Sequence, residues 1–180
     1  FADSLPDGWG RLLVDRLLLR EKLNPQEVGS LQRLAIVAAS GAGALTYFPH
    51  CELPVQPKAI SLDETARECE KLFSTNTSDN LDELFCLGGS YGGARPKIKY
   101  EWEGSEWIVK FPSSMDVDNI GEQEYAYSEC AMKCGIVVPK THLFESKCCN
   151  GYFASKRFDR GDEGRRHMIS VSGILETSHR

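Results

Sequence analysis

The sequence predicts an α+β chain: a small helical subdomain, residues 1–80, followed by an antiparallel sheet with one packed helix, residues 81–180. Three observations carry this. Up to Leu87 the apolar residues recur at helical spacing, whereas from Ile98 they alternate as strands do. Between the two regimes lies Cys86-Leu-Gly-Gly-Ser-Tyr-Gly-Gly-Ala-Arg-Pro-Lys97, which holds Gly88, Gly89, Gly92 and Gly93, four of the sixteen glycines. Such a loop folds tightly, and its successive N–H groups form a concavity suited to an anion, most often a phosphate.

The elements follow in order. Ser4-Leu-Pro-Asp-Gly8 is a turn leading into an amphipathic helix from about Trp9 to Lys22, carrying Leu12, Leu13, Leu17 and Leu19. Asn24-Pro25 predicts a second helix, with Pro25 at its first position, that runs to about Ala39 before the glycines at 41 and 43. Leu45 to Phe48 reads as a short strand, and the prolines between 49 and 60 mark a loop. Ser61-Leu-Asp-Glu64 is a capping box, and Leu62, Ala66, Cys69 and Phe73 continue one helical face. A short helix, Leu81 to Leu87, delivers the chain to the glycine loop.

Beyond the loop, Ile98–Trp102 and Glu106–Phe111 read as a hairpin about Glu103-Gly-Ser105. A helix of about fifteen residues runs from Asn119 to Cys134 and stops at Gly135. Val137–Phe144 and Tyr152–Phe158 form a second hairpin across Cys148-Cys-Asn-Gly151. Ser170 to His179 starts another helix.

With 41% hydrophobic and 26% charged residues, the 180-residue chain has the composition of a globular protein with a true core. A net charge of −5 argues against a nucleic-acid surface. The basic run Arg157–Arg166, broken by Asp159, Asp162 and Glu163, reads as a solvated loop. No apolar run is long enough to span a bilayer. The seven cysteines show neither a CxxC pair nor zinc spacing; Cys69, Cys86, Cys130 and Cys134 fall on apolar helix faces, which suits a reducing, cytoplasmic setting. Phe1 stands where a start methionine would, so the chain is expected to be a piece of a longer protein.

The loop's context separates the phosphate-binding types. A Walker A loop needs lysine where Ala94 stands and a helix where a hairpin follows, and the dinucleotide fingerprint fails on spacing and context. A kinase-type N-lobe fits: a glycine loop leading into antiparallel strands, one of which carries a phosphate-binding lysine. Lys110 occupies that strand and shares a face with Ile108, opposite Trp107 and Val109. On the next helix Ile120, Glu124, Tyr127 and Ala131 share one face, so that Glu124 is an acid on an apolar stripe. A Lys110–Glu124 pair would satisfy it; the competing reading has Lys110 reaching to solvent and Glu124 at the helix margin.

The loop Gly-Gly-Ser90-Tyr-Gly-Gly93-Ala-Arg-Pro-Lys97 resembles the HipA-like serine/threonine kinases, in register at Ser90, Gly93, Ala94 and Lys97. Leu5-Pro-Asp-Gly-Trp-Gly-Arg11, Gly43-Ala-Leu45, Ile108-Val-Lys-Phe-Pro112, Gly135-Ile-Val-Val-Pro139 and Arg157-Phe-Asp-Arg160 agree. The resemblance implies that Gly92, Gly93, Ala94 and Lys97 cradle ATP phosphates and that Lys110 binds phosphate oxygens, with Glu124 positioning it. It implies a hinge at Lys156, Arg157 and Phe158 for the adenine, with Asp159 within reach of the ribose. Ser90 matches an autophosphorylated serine that acts as an off-switch. The family's catalytic aspartate and its Mg2+ ligands belong to a helical C-lobe, expected beyond Arg180, so no catalytic residue and no metal ligand is assigned here. The family's partners imply a protein substrate, such as an aminoacyl-tRNA synthetase, and a helix-turn-helix antitoxin. A non-catalytic nucleotide-binding or partner-docking module is the alternative.

Overall fold

The computed structural model describes residues 2–177. Phe1, Arg180 and the expected helix end at His179 lie outside the described residues. The leucine spacing near the start produces α1, Gly8–Arg20, which buries Trp9, Leu13, Val14 and Leu17. The capping box forms: the Ser61 N–H donates to Glu64 Oε2 at 2.8 Å and the Glu64 amide donates back to Ser61 Oγ, starting α3, Leu62–Thr75. Its buried face is Thr65, Cys69 and Leu72, while Phe73 is partly exposed. The short helix α4, Leu81–Gly88, ends at the glycine loop.

The helix between them, α2, spans Ser30–Val37 and does not begin at Pro25. The Asn24 side chain accepts the Gln26 amide at 3.1 Å and the Asn24 carbonyl accepts the Glu27 amide, so the segment closes into a turn. The helix starts only after Gly29, whose N–H donates to the Gln32 side chain at 2.8 Å. The expected strand at 45–48 is likewise absent: the segment is irregular, with Phe48 exposed. Arg165 Nη2 and Arg160 Nη2 donate to the Ala39 and Gly41 carbonyls just before it, so side chains rather than a sheet hold this stretch.

Past the loop, β1 (Lys97–Trp102) and β2 (Ser105–Lys110) form the first hairpin, and β3 (Thr141–Phe144) and β4 (Tyr152–Lys156) the second. All pairs are antiparallel, and the strand order is β1-β2-β4-β3. The intervening helix α5, Ile120–Lys133, packs on β3 and β4, with Gly135 at φ +80 behind it. This is the sheet-and-helix arrangement of a kinase-type N-lobe. Strand alternation decides the faces. Ile98, Trp107, Val109, Tyr152 and Ala154 join Phe111 and the helical residues Trp9, Leu13, Cys69, Leu72 and Leu84 in one buried cluster. That cluster runs across position 80 without a break.

Three further expectations are corrected. On α5 Tyr127 is 75% exposed, so the stripe through it is no buried face; Gly121 is the helix's buried residue because its α-carbon meets the Gly151 carbonyl, where a Cβ would lie 2.1 Å from the oxygen. Cys130 and Cys134 are exposed on the same outer side, Cys86 is half-buried, and of the four only Cys69 is buried. The basic run is solvated only in part: Arg157 and Asp159 are buried at 3% exposure, while residues 161–166 are exposed and the run folds into the small ribbon β5 (Arg160–Gly161) and β6 (Gly164–Arg165). The last helix, α6, is short, Val171–Leu175.

Candidate functional site

Register brings the candidate lysines together. Lys97, first residue of β1, pairs directly with Lys110, last residue of β2, and cross-strand partners project to the same face. Two like charges in that position repel unless something anionic lies between them. Lys110 Nζ donates to Glu124 Oε2 at 2.7 Å and lies 5.1 Å from the centre of the Phe153 ring. Lys97 Nζ donates to the Gly92 carbonyl at 2.6 Å, tying the strand to the loop above it. Burial, then the charge of Lys110, pushes the Lys97 ammonium below its ordinary range.

A third cation completes the cluster. Arg95 donates from Nη1 to Glu124 Oε1 at 2.8 Å and grips both Asp116 oxygens, at 2.9 and 2.7 Å. Hydrogen bonds from Arg95, with those from the Ser113 amide and hydroxyl, hold the Asp116 carboxyl down at about 2 despite its burial. Arg95, Lys97 and Lys110 therefore face two carboxylates, Asp116 and Glu124, leaving one positive charge in excess. Neither Arg95 nor Asp116 was assigned a role from sequence. The Arg95-Pro96 step ahead of a strand was a usable signal for the first, whereas Asp116 sits in a polar loop that gives none.

The glycine loop is held from several sides. Ser90 Oγ–H donates to the Ser40 carbonyl at 2.9 Å, and Tyr91 is buried with its ring 5.8 Å from the Arg157 guanidinium. Gly93 adopts φ +85, where a side chain would be strained and would meet Lys97 Nζ. Gly92, Gly93 and Ala94 are exposed.

In the hinge segment Asp159 is 3% exposed, and its oxygens accept from Arg157 Nε and Nη2, Arg160 Nη1 and the Gly43 amide, at 2.7 to 2.9 Å. Burial alone would raise this carboxyl, but these donors hold it below its ordinary value. The residue ties the hinge to the 38–47 segment. Lys156 and Arg157 spend their amides on the Lys140 and Glu106 carbonyls, and Phe158 is 57% exposed.

Among the described residues no group of three or more His, Cys, Asp or Glu is arranged to hold a metal, and no helix is long and apolar enough to cross a membrane. No curated protein and no solved structure matches the chain. The family model of the HipA-like C-terminal domain matches residues 89–180, slightly more than half of the sequence and starting inside the glycine loop. The chain with the cross-strand lysines and their shared glutamate therefore belongs to the HipA-like family.

Proposed function

We propose that this chain supplies the nucleotide-binding part of a HipA-like kinase that moves the ATP γ-phosphate to a protein serine or threonine. The supporting observation is the Lys97–Lys110 cross-strand pair beneath the glycine loop, with Glu124 on the second lysine. In this reading the amides of Gly92, Gly93 and Ala94 hold phosphate oxygens, and Lys97 and Lys110 neutralise them. Glu124 and Arg95 keep Lys110 aimed at the cleft. With the amides of Lys156 and Arg157 engaged, adenine recognition falls to the hinge backbone from Phe158 onward. Bound ATP, with Mg2+, supplies the transferable phosphoryl group; the general base and the metal ligands are assigned to none of these residues.

Ser90 gives the switch a physical form. Its hydroxyl donates to the Ser40 carbonyl. A phosphoserine at that position would have oxygen acceptors only, facing a carbonyl, and would bring nearly two negative charges beside the phosphate site, so the loop would leave it. By family resemblance the protein works in the cytoplasm on a protein substrate such as an aminoacyl-tRNA synthetase, with a helix-turn-helix antitoxin as its restraint.

The test is phosphoryl transfer by the whole protein with Mg2+ and radiolabelled ATP, the label located by mass spectrometry. Wild type should label Ser90. Lys110→Ala should lose transfer while keeping its melting transition, and undiminished transfer by that variant would overturn the reading.

A further inference from the structure

Helix α1 begins where the glycine loop passes. The first N–H groups of a helix have no partner within it. Here Trp9 and Gly10 direct theirs at the loop: Trp9 N–H donates to the Gly93 carbonyl at 2.9 Å and Gly10 N–H to the Tyr91 carbonyl at 2.8 Å. Asp7, at the N-cap, makes no side-chain cap bond. The Trp9 indole N–H adds a third contact, to the Lys97 carbonyl at 3.0 Å.

The approach depends on two glycines. A Cβ on Gly8, which has φ +49, would lie 2.4 Å from the Gly93 carbonyl oxygen. A Cβ on Gly10 would lie 2.4 Å from the Tyr91 carbonyl oxygen. Both obstacles are backbone atoms, so no side chain can swing aside. Peptide planarity carries the effect across the loop. With the carbonyls of Tyr91 and Gly93 drawn toward α1, the N–H groups of the same peptide units, on Gly92 and Ala94, turn the opposite way.

We propose that the turn Asp7-Gly-Trp-Gly10 positions the glycine loop, and that Gly8 and Gly10 orient the Gly92 and Ala94 amides toward the nucleotide phosphates. This rests on the proposed nucleotide site, but the clamp lies outside the residues matched by the family model. Tyr91, buried against Arg157, anchors the loop from its other side, so the clamp sets direction rather than mere attachment.

The experiment compares wild type, Gly10→Ala and Trp9→Phe by amide hydrogen exchange, thermal melting and Mg-ATP binding on the whole protein. Helix propensity alone predicts that Gly10→Ala stabilises α1. The clamp predicts faster exchange at residues 89–94 and Mg-ATP binding weakened about tenfold or more, since misplaced groups lose most of their effect. Trp9→Phe, which removes the indole N–H and also ring volume from the core, should lower the melting temperature and move loop exchange and affinity in the same direction by less. A Gly10→Ala protein that is folded, with wild-type loop exchange and affinity, overturns the proposal. Should Gly10→Ala fail to fold, wild-type exchange decides: protected Trp9 and Gly10 amides support the clamp, and unprotected ones refute it. If wild type binds no Mg-ATP, the nucleotide reading falls, and the exchange comparison still tests the clamp separately.

Discussion

Two arginine–carboxylate networks occupy this chain, and they differ in what they leave undone. Around Asp159, Arg157 and Arg160 enclose a carboxylate whose side chain is 4% exposed, and Glu106 is a second carboxylate beside both arginines, so two cations meet two acids. Around Glu124, Arg95 and Lys110 are each about one-third exposed, Lys97 stands opposite Lys110, and one cation remains in excess. The closed network joins segments more than a hundred residues apart in sequence, Gly43 and Asp159. The open one lies beneath a loop of exposed backbone amides. Residue types alone do not distinguish a structural ion cluster from a binding one; completeness does.

The largest effect should come from opening the closed network. Asp159→Ala leaves the buried Arg157 and the part-buried Arg160 with Glu106 as their one remaining carboxylate and should cost up to about 3–5 kcal/mol of folding stability, read by urea unfolding. A cost near zero would mean that the cluster does not hold the hinge. Next, Lys110→Ala should change stability by no more than about 1 kcal/mol, because the Lys110–Glu124 pair is partly solvated. Its Mg-ATP affinity should nevertheless fall roughly ten- to a hundredfold by calorimetry, the worth of a charged hydrogen bond. The reverse pattern, lost stability with intact affinity, would make the open network structural as well.

A smaller effect concerns acid. Asp116 titrates at about 2 in the folded chain against an ordinary 3.8, so its stabilisation is fully present above about pH 4. That contribution disappears as pH falls from there toward 2. In an acid titration followed by circular dichroism, Asp116→Asn should lose this part of the pH dependence, and an unchanged acid limb would remove Asp116 from the network.

The sequence made local features legible and distant ones illegible. The Ser61–Glu64 box, the Gly135 stop and the first hairpin are set by residues within a few positions and appear where spacing puts them, whereas the second hairpin is shorter than expected, β3 starting at Thr141 and not at Val137 and β4 ending at Lys156. Glu124 was traceable because one helical period carries it toward β2, although the apolar stripe used to argue this was not buried: Tyr127 faces outward. Pro25 misled because a favourable first helical residue cannot outweigh the Asn24 turn and Gly29 downstream. Asp159 could not be read at all. Its three side-chain bonds to neighbouring arginines look like a solvated charge run until the fold brings Gly43 against them. Arg157 in the same run is buried for the same reason.

The apolar cluster that crosses position 80 sets a limit on how the protein can be divided. The family match begins at Gly89, yet the underside of the sheet is covered by Trp9, Leu13, Cys69 and Leu72 from before that boundary. What is inherited as a module is not what folds as one. A polypeptide trimmed to the matched segment would present Ile98, Val109, Phe111 and Tyr152 to water as a bare apolar floor, and exposed floors of that kind associate with whatever greasy surface they meet.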